Sequence, residues 1–144
     1  MNSLTALGVV FRDNLKLTDH VNAVIASCSS LLYVLRDLRQ HGMPNTSLQD
    51  IFRATVMSKM LNCCQAWSGF CSAADLQRLG SFIRRCINLG YCAPDTPPIE
   101  TLFIEADENL FRKVLRNSHH TLYHLLPPLW TEHTTCSNES TTEA

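Results

Sequence analysis

Four histidines, His119, His120, His124 and His133, gather near the C-terminus, with Cys136 just beyond them. On a helix His120 and His124 would share a face, the i, i+4 spacing that zinc sites use. No compact set of four ligands follows, so the spacing does not make a metal centre. The seven cysteines, Cys28, Cys63, Cys64, Cys71, Cys86, Cys92 and Cys136, are odd in number and nowhere form C-x-x-C. They read as reduced thiols packed as small hydrophobes, with no histidine paired to activate one. Nowhere are two aspartates adjacent, and no glycine-rich phosphate loop occurs, so a two-metal polymerase or nuclease centre is not expected. The reactive residues therefore predict no catalytic residue, no metal and no cofactor.

The basic residues carry a stronger pattern. Residues 1–90 hold nine Lys/Arg against five Asp, a balance of +4, whereas residues 91–144 hold three against eight Asp/Glu, a balance of −5. Such asymmetry suits an anionic partner for the first half, and solvated helix faces would give it too. The candidate nucleic-acid-binding residues are Arg36, Arg39, Arg53, Lys59, Arg78, Arg84 and Arg85. At helical pitch Arg78 and Arg85 fall on one line and Gln77, Arg84 and Asn88 on the next, a stripe able to track a phosphate backbone. Arg36 and Arg39 lie in the last turns of a helix, where positive charge also complements the helix dipole. Lys59 falls near Leu48, Phe52 and Thr55 on an apolar face, as a snorkelling side chain or a cation held for a partner's carboxylate or phosphate.

These residues need a scaffold, and the apolar pattern predicts a helical one. A composition 45% hydrophobic and 17% charged argues against disorder over most of the chain. Leu48–Cys64 is apolar around nearly its whole circumference and reads as the axial helix of a bundle. Before it, Thr18 would cap a helix that Gly42 and Pro44 stop. After it, Trp67–Phe70 reads as a loop, and Ser72 with Asp75 approximates a capping box for a helix ending at Gly90. A further helix follows Pro97-Pro98 and ends near Asn117-Ser118. Ala6–Phe11 reads as a short strand, with Asp13-Asn14 as turn formers and no visible partner strand.

The expected fold is thus mainly α: a small bundle of about four helices, one short N-terminal strand and a disordered C-terminal tail. It divides into residues 1–17, the bundle 18–130 and the tail 131–144. No uninterrupted apolar run of about 18 residues is present and the N-terminus does not read as a signal peptide. The expectation is an intracellular protein with no membrane and no small-molecule substrate.

Three segments carry a family resemblance: LGVVFRDNLKLTDHV (7–21), FRATVMSKMLNCCQAWSGFCSAADLQRLGSFIRRCINLGY (52–91), and EADENLFRKVL with HHTLYHLLPP (105–128). In this order they resemble the C-terminal region of LINE-type non-LTR retrotransposon reverse transcriptases, over residues 4 to 130. The resemblance implies that Leu7-Gly8-Val9 is the last palm-side strand and that the helices from Thr18 onward form the thumb and the segment beyond it, which grip the template–primer duplex. The family's Tyr-x-Asp-Asp pattern, its other palm carboxylates (which would hold magnesium), its endonuclease and the Cys/His knuckle of some relatives do not occur here. The resemblance therefore implies a remnant that does not polymerise DNA and retains at most weak affinity for RNA or an RNA–DNA hybrid. The alternative from the residues alone is a protein-interaction bundle that binds no nucleic acid, with self-association through an exposed apolar edge.

Overall fold

The computed structural model describes residues 3–12 and 16–128, and the chain divides into two compact units, Met1–Ile104 and Glu105–Ala144. The fold is mainly α with a two-stranded N-terminal sheet. The expected disordered tail and the Asp13-Asn14 turn lie outside the described residues.

The first unit opens on a hairpin, not on a lone strand. Strands β1 (Ser3–Ala6) and β2 (Val9–Arg12) pair antiparallel, with Ser3 opposite Arg12 and Ala6 opposite Val9. Leu7 and Gly8 form the two-residue turn at φ 50° and 82°. Two positive φ values give the turn the twist that the flanking strands need. The apolar run expected as one strand is therefore the end of β1, a turn and β2. Val9 is buried, whereas all four residues of β1 are exposed.

Helix α1 (Thr18–Gln40) is the hub of this unit: it packs on β2 and on every element from residue 45 to 61, and again on the helix after Ser72. Its buried stripe is His20, Val21, Val24, Cys28, Leu32 and Leu35. Among the described residues it is the one helix that could cross a membrane by length and composition, a test that core helices also pass. Gly42, at φ 85°, takes the left-handed conformation that ends the helix.

The expected axial helix begins earlier, ends earlier and contains a defect. It runs as α2 (Asn45–Phe52), a π-helical turn (Arg53–Met57) and α3 (Ser58–Leu61). Leu48, Phe52, Val56 and Met60 are all essentially inaccessible. In an uninterrupted α-helix twelve residues would rotate Met60 about 120° away from Leu48. The wider π turn absorbs that rotation and keeps the four in one buried line. It also turns Lys59 outward and leaves Arg53, Ala54 and Ser58 exposed. Asn62 then goes extended and Cys63 left-handed at φ 52°, before the single turn α4 (Cys64–Trp67) and a 3-10 turn at Ser68–Phe70. Trp67 is fully buried against the His20 and Phe103 rings, its indole N–H donating to the Asn62 carbonyl at 2.9 Å, while Phe70 is exposed.

Helix α5 (Ala73–Asn88) starts as its sequence dictates: the Ser72 hydroxyl accepts from the Asp75 backbone N–H at 3.1 Å. It then runs parallel to α1, since Thr18 meets Asp75, Asn22 meets Arg78 and Arg39 reaches Leu89. Thr18 itself is not the cap of α1. Leu17 holds that position, and the Thr18 hydroxyl donates across to the Asp75 carboxylate at 3.1 Å. After Gly90 (φ 78°) the chain leads through Pro97-Pro98 into α6 (Ile99–Arg116).

The second unit holds the later turns of α6, then tight turns and a 3-10 turn at Tyr123–Leu125.

Candidate nucleic-acid interface

The seven candidate cations do not form one surface. Three converge. Arg36 and Arg39 from the end of α1 and Arg85 from α5 line a cleft of about 450 Å³, together with Tyr33, Leu89 and Tyr91. The parallel run of α1 and α5 makes this possible, because it places the two C-terminal ends side by side. No acidic side chain among the described residues lines the cleft. Asp37, next in sequence to Arg36, instead lies 3.8 Å from the His41 imidazole.

Within the cleft the arginines differ in role. The Arg39 guanidinium stacks 4.1 Å over the Tyr91 ring and donates to the Leu89 carbonyl at 2.8 Å, holding the end of α5. Its Nε is buried without a hydrogen-bond partner. Arg39 is thus structural, and its charge contributes to the field of the cleft more than its donors contribute to any ligand. Arg36 and Arg85 are exposed. Tyr33 is 74% exposed, an unusual degree for a large aromatic ring on a helix, and sits one turn before Arg36.

The other candidates are dispersed. Arg78 does border α1, like Arg85, but its guanidinium donates to Asn22 Oδ1 at 2.6 Å and lies 3.7 Å from Asp75. Arg84 lies on the other side of α5, where it donates to the Ser81 hydroxyl and lines a separate cleft with Gln77 and Pro97. Arg53 lines a third cleft that also contains Asp95. Lys59 is exposed on α3, close enough to Cys28 for its charge to favour the thiolate against burial. The expected stripe along α5 is therefore divided between two faces.

Tyr33 and Tyr91 complete the lining of the cleft and are not among the residues that the sequence singles out. Tyr33 carried a signal, three residues before Arg36 in an exposed position of the periodic pattern. Tyr91 carried none, because only the left-handed Gly90 turns it back beneath Arg39.

The metal-ligand spacing at the C-terminal end dissolves in the structure. Residues 118–122 form turns and a bend, so His120 and His124 do not share an α-helical face, and His120 Nδ1 accepts the Leu122 backbone N–H at 3.1 Å. Among the described residues no three His, Cys, Asp or Glu side chains converge to hold an ion. His133 and Cys136 lie outside the described residues. Cys28, Cys63, Cys71, Cys86 and Cys92 are free thiols. Burial pushes the Cys28 and Cys71 thiols up to about 11 and Cys86 to about 12, so these three are held protonated.

Compared with known proteins, this chain matches no family model, no curated protein sequence and no solved structure.

Proposed function

We propose that this chain is a non-catalytic piece of a LINE-type RNA-directed DNA polymerase, and that its remaining activity is weak, sequence-independent binding of nucleic acid. The observation that carries the binding half is the cleft of Arg36, Arg39 and Arg85 with Tyr33 and Tyr91. Arginine pairs bidentately with phosphate, and aromatic rings supply stacking surfaces. The ancestry half rests on the order of the three motif segments. An intracellular location belongs to the same proposal and is favoured by the free thiols of Cys28, Cys63, Cys71, Cys86 and Cys92.

Two available guanidinium groups predict modest affinity. Binding should weaken with salt at a log–log slope of about −1 to −2, as for release of two counterions. The test is fluorescence anisotropy with a labelled RNA–DNA hybrid and a labelled single strand between about 25 and 200 mM salt. The Arg36→Gln/Arg85→Gln double variant should flatten the slope, whereas Arg78→Gln, whose guanidinium is held by Asn22, should leave it. An unchanged slope in the double variant, or no binding at the lowest salt, would overturn the proposal.

A second reading is favoured by the hairpin. Leu4 and Leu7 are 68% and 90% exposed, and among the described residues β1 pairs with β2 alone, which leaves its other edge unpaired. Such an edge invites pairing with another strand, including that of a second copy. Sedimentation separates the two readings: self-association persisting at high salt, with no retention of hybrid or single strand, favours the interaction bundle.

A further inference from the structure

We infer that the α1–α5 cleft takes an unpaired strand in preference to a duplex, one base stacking on Tyr33 while Arg36 and Arg85 hold the phosphates on either side. This rests on the nucleic-acid reading above and names the form of nucleic acid that fits it. Tyr33 is the discriminating residue. Its ring stands in solvent at the rim of the cleft, and the other aromatic ring there, Tyr91, is already covered by Arg39. Leu89, 43% exposed, extends the apolar wall beside it.

A duplex uses none of this wall. Its bases have their faces stacked inside the helix, and only phosphates would reach Arg36 and Arg85. An unpaired nucleotide offers both a base face and flanking phosphates, and every base has such a face, so the site selects strandedness and not sequence. On α1 Tyr33 and Arg36 are three residues apart and share a side of the helix. Arg85 comes from the opposite wall, so ring and charges bracket a single backbone path. The volume, about 450 Å³, lies within the range of clefts that enclose a small ligand. RNA and DNA strands share this chemistry.

The experiment uses the full chain and measures anisotropy with labelled oligo-dT, oligo-U, an abasic strand of equal length, a blunt DNA duplex and an RNA–DNA hybrid. Both strands should bind more tightly than either duplex and than the abasic strand; the oligo-U and oligo-dT arms report whether RNA or DNA is the better ligand. Tyr33→Ala should weaken strand binding about 5- to 150-fold, the range that loss of one base–aromatic stack gives, and leave duplex binding unchanged. Tyr33→Phe should bind strands as the parent does. Because Tyr33 is exposed, its variants should melt with the parent, which circular dichroism checks. Salt-dependent binding with Tyr33→Ala neutral, or duplexes bound as tightly as strands, would overturn this inference and leave the broader proposal standing. Absence of binding to every probe at low salt would overturn both.

Discussion

The Arg39 guanidinium lies 4.1 Å above the ring of Tyr91, and the same group caps the Leu89 carbonyl at 2.8 Å. One side chain thus fastens the end of α1 to the end of α5 and to the loop that follows. A stacked cation and a charge-assisted hydrogen bond together contribute about 1–3 kcal/mol. Arg39→Gln should lower the urea midpoint accordingly, and Arg39→Lys should restore little of it, since an ammonium lacks the planar fork. Arg36→Gln, made at an exposed site in the same cleft, should stay within about 0.5 kcal/mol of the parent.

Asp75 fastens the beginnings of the same two helices. Its buried carboxylate accepts from the Thr18 hydroxyl at 3.1 Å and from the Ser72 hydroxyl at 2.7 Å. Asp75→Ala leaves both hydroxyls without their acceptor and should cost about 1–3 kcal/mol in denaturant unfolding. A double-mutant cycle with Thr18→Val should give a coupling of about 0.5 kcal/mol or more. Independent, additive losses would show that the contact carries no energy.

His20 makes stability depend on pH. Burial against Trp67 lowers its pKa below the ordinary histidine value, and its Nε2 is buried without a partner. The folded state therefore binds its proton less readily than the unfolded chain. Its contribution is complete above the unfolded histidine pKa of about 6.5 and is lost as pH falls through that value toward the depressed folded one. Thermal melts between about pH 7.5 and about pH 5, a range that spans that value, should show Tm falling more steeply in the parent than in His20→Phe. Equal slopes would contradict this.

Thiol reactivity should be ordered. Cys28 and Cys86 are buried with pKa values pushed to about 11 and about 12, and should resist alkylation in the folded protein. Cys63 is half-buried, at the left-handed position between α3 and α4, and should react before either. Timed iodoacetamide labelling read by peptide mass spectrometry gives the order. Early modification of Cys86 would be inconsistent with its burial.

Leu7 occupies a left-handed position that Asn adopts at less cost, and its side chain is 90% exposed. Leu7→Asn should stabilise the hairpin by up to about 1 kcal/mol. Slower amide exchange at hydrogen-bonded positions of β2 would register the gain, and faster exchange would refute it.

The same residue explains where the sequence was opaque. An Asn-Gly or Asp-Gly pair would have announced the hairpin, but Leu7-Gly8 sits inside an apolar run and reads as strand. Helices α1, α5 and α6 were legible because each has both a periodic stripe and chemical punctuation: Gly42, the Ser72–Asp75 cap, and Pro97-Pro98. The π turn was not, since its residues keep an apolar pattern and nothing local marks a widened turn. The cleft was half-legible. Each arginine stood out alone, but bringing Arg36 to Arg85 requires α1 and α5 to lie parallel, which depends on contacts between residues 50 to 57 positions apart.

The π turn behaves as an α-helix carrying one surplus residue. Removing Ala54 would convert the buried series 48, 52, 56, 60 into 48, 52, 55, 59, the four–three–four spacing of a heptad seam. A shortening by one codon, ordinarily ruinous inside a helix because it swings everything downstream out of phase, would here leave the inward set in phase. The segment from Asn45 to Leu61 should therefore present the same face to α1 with one residue fewer, so that loss of Ala54 disturbs the buried line less than a deletion inside a regular helix would.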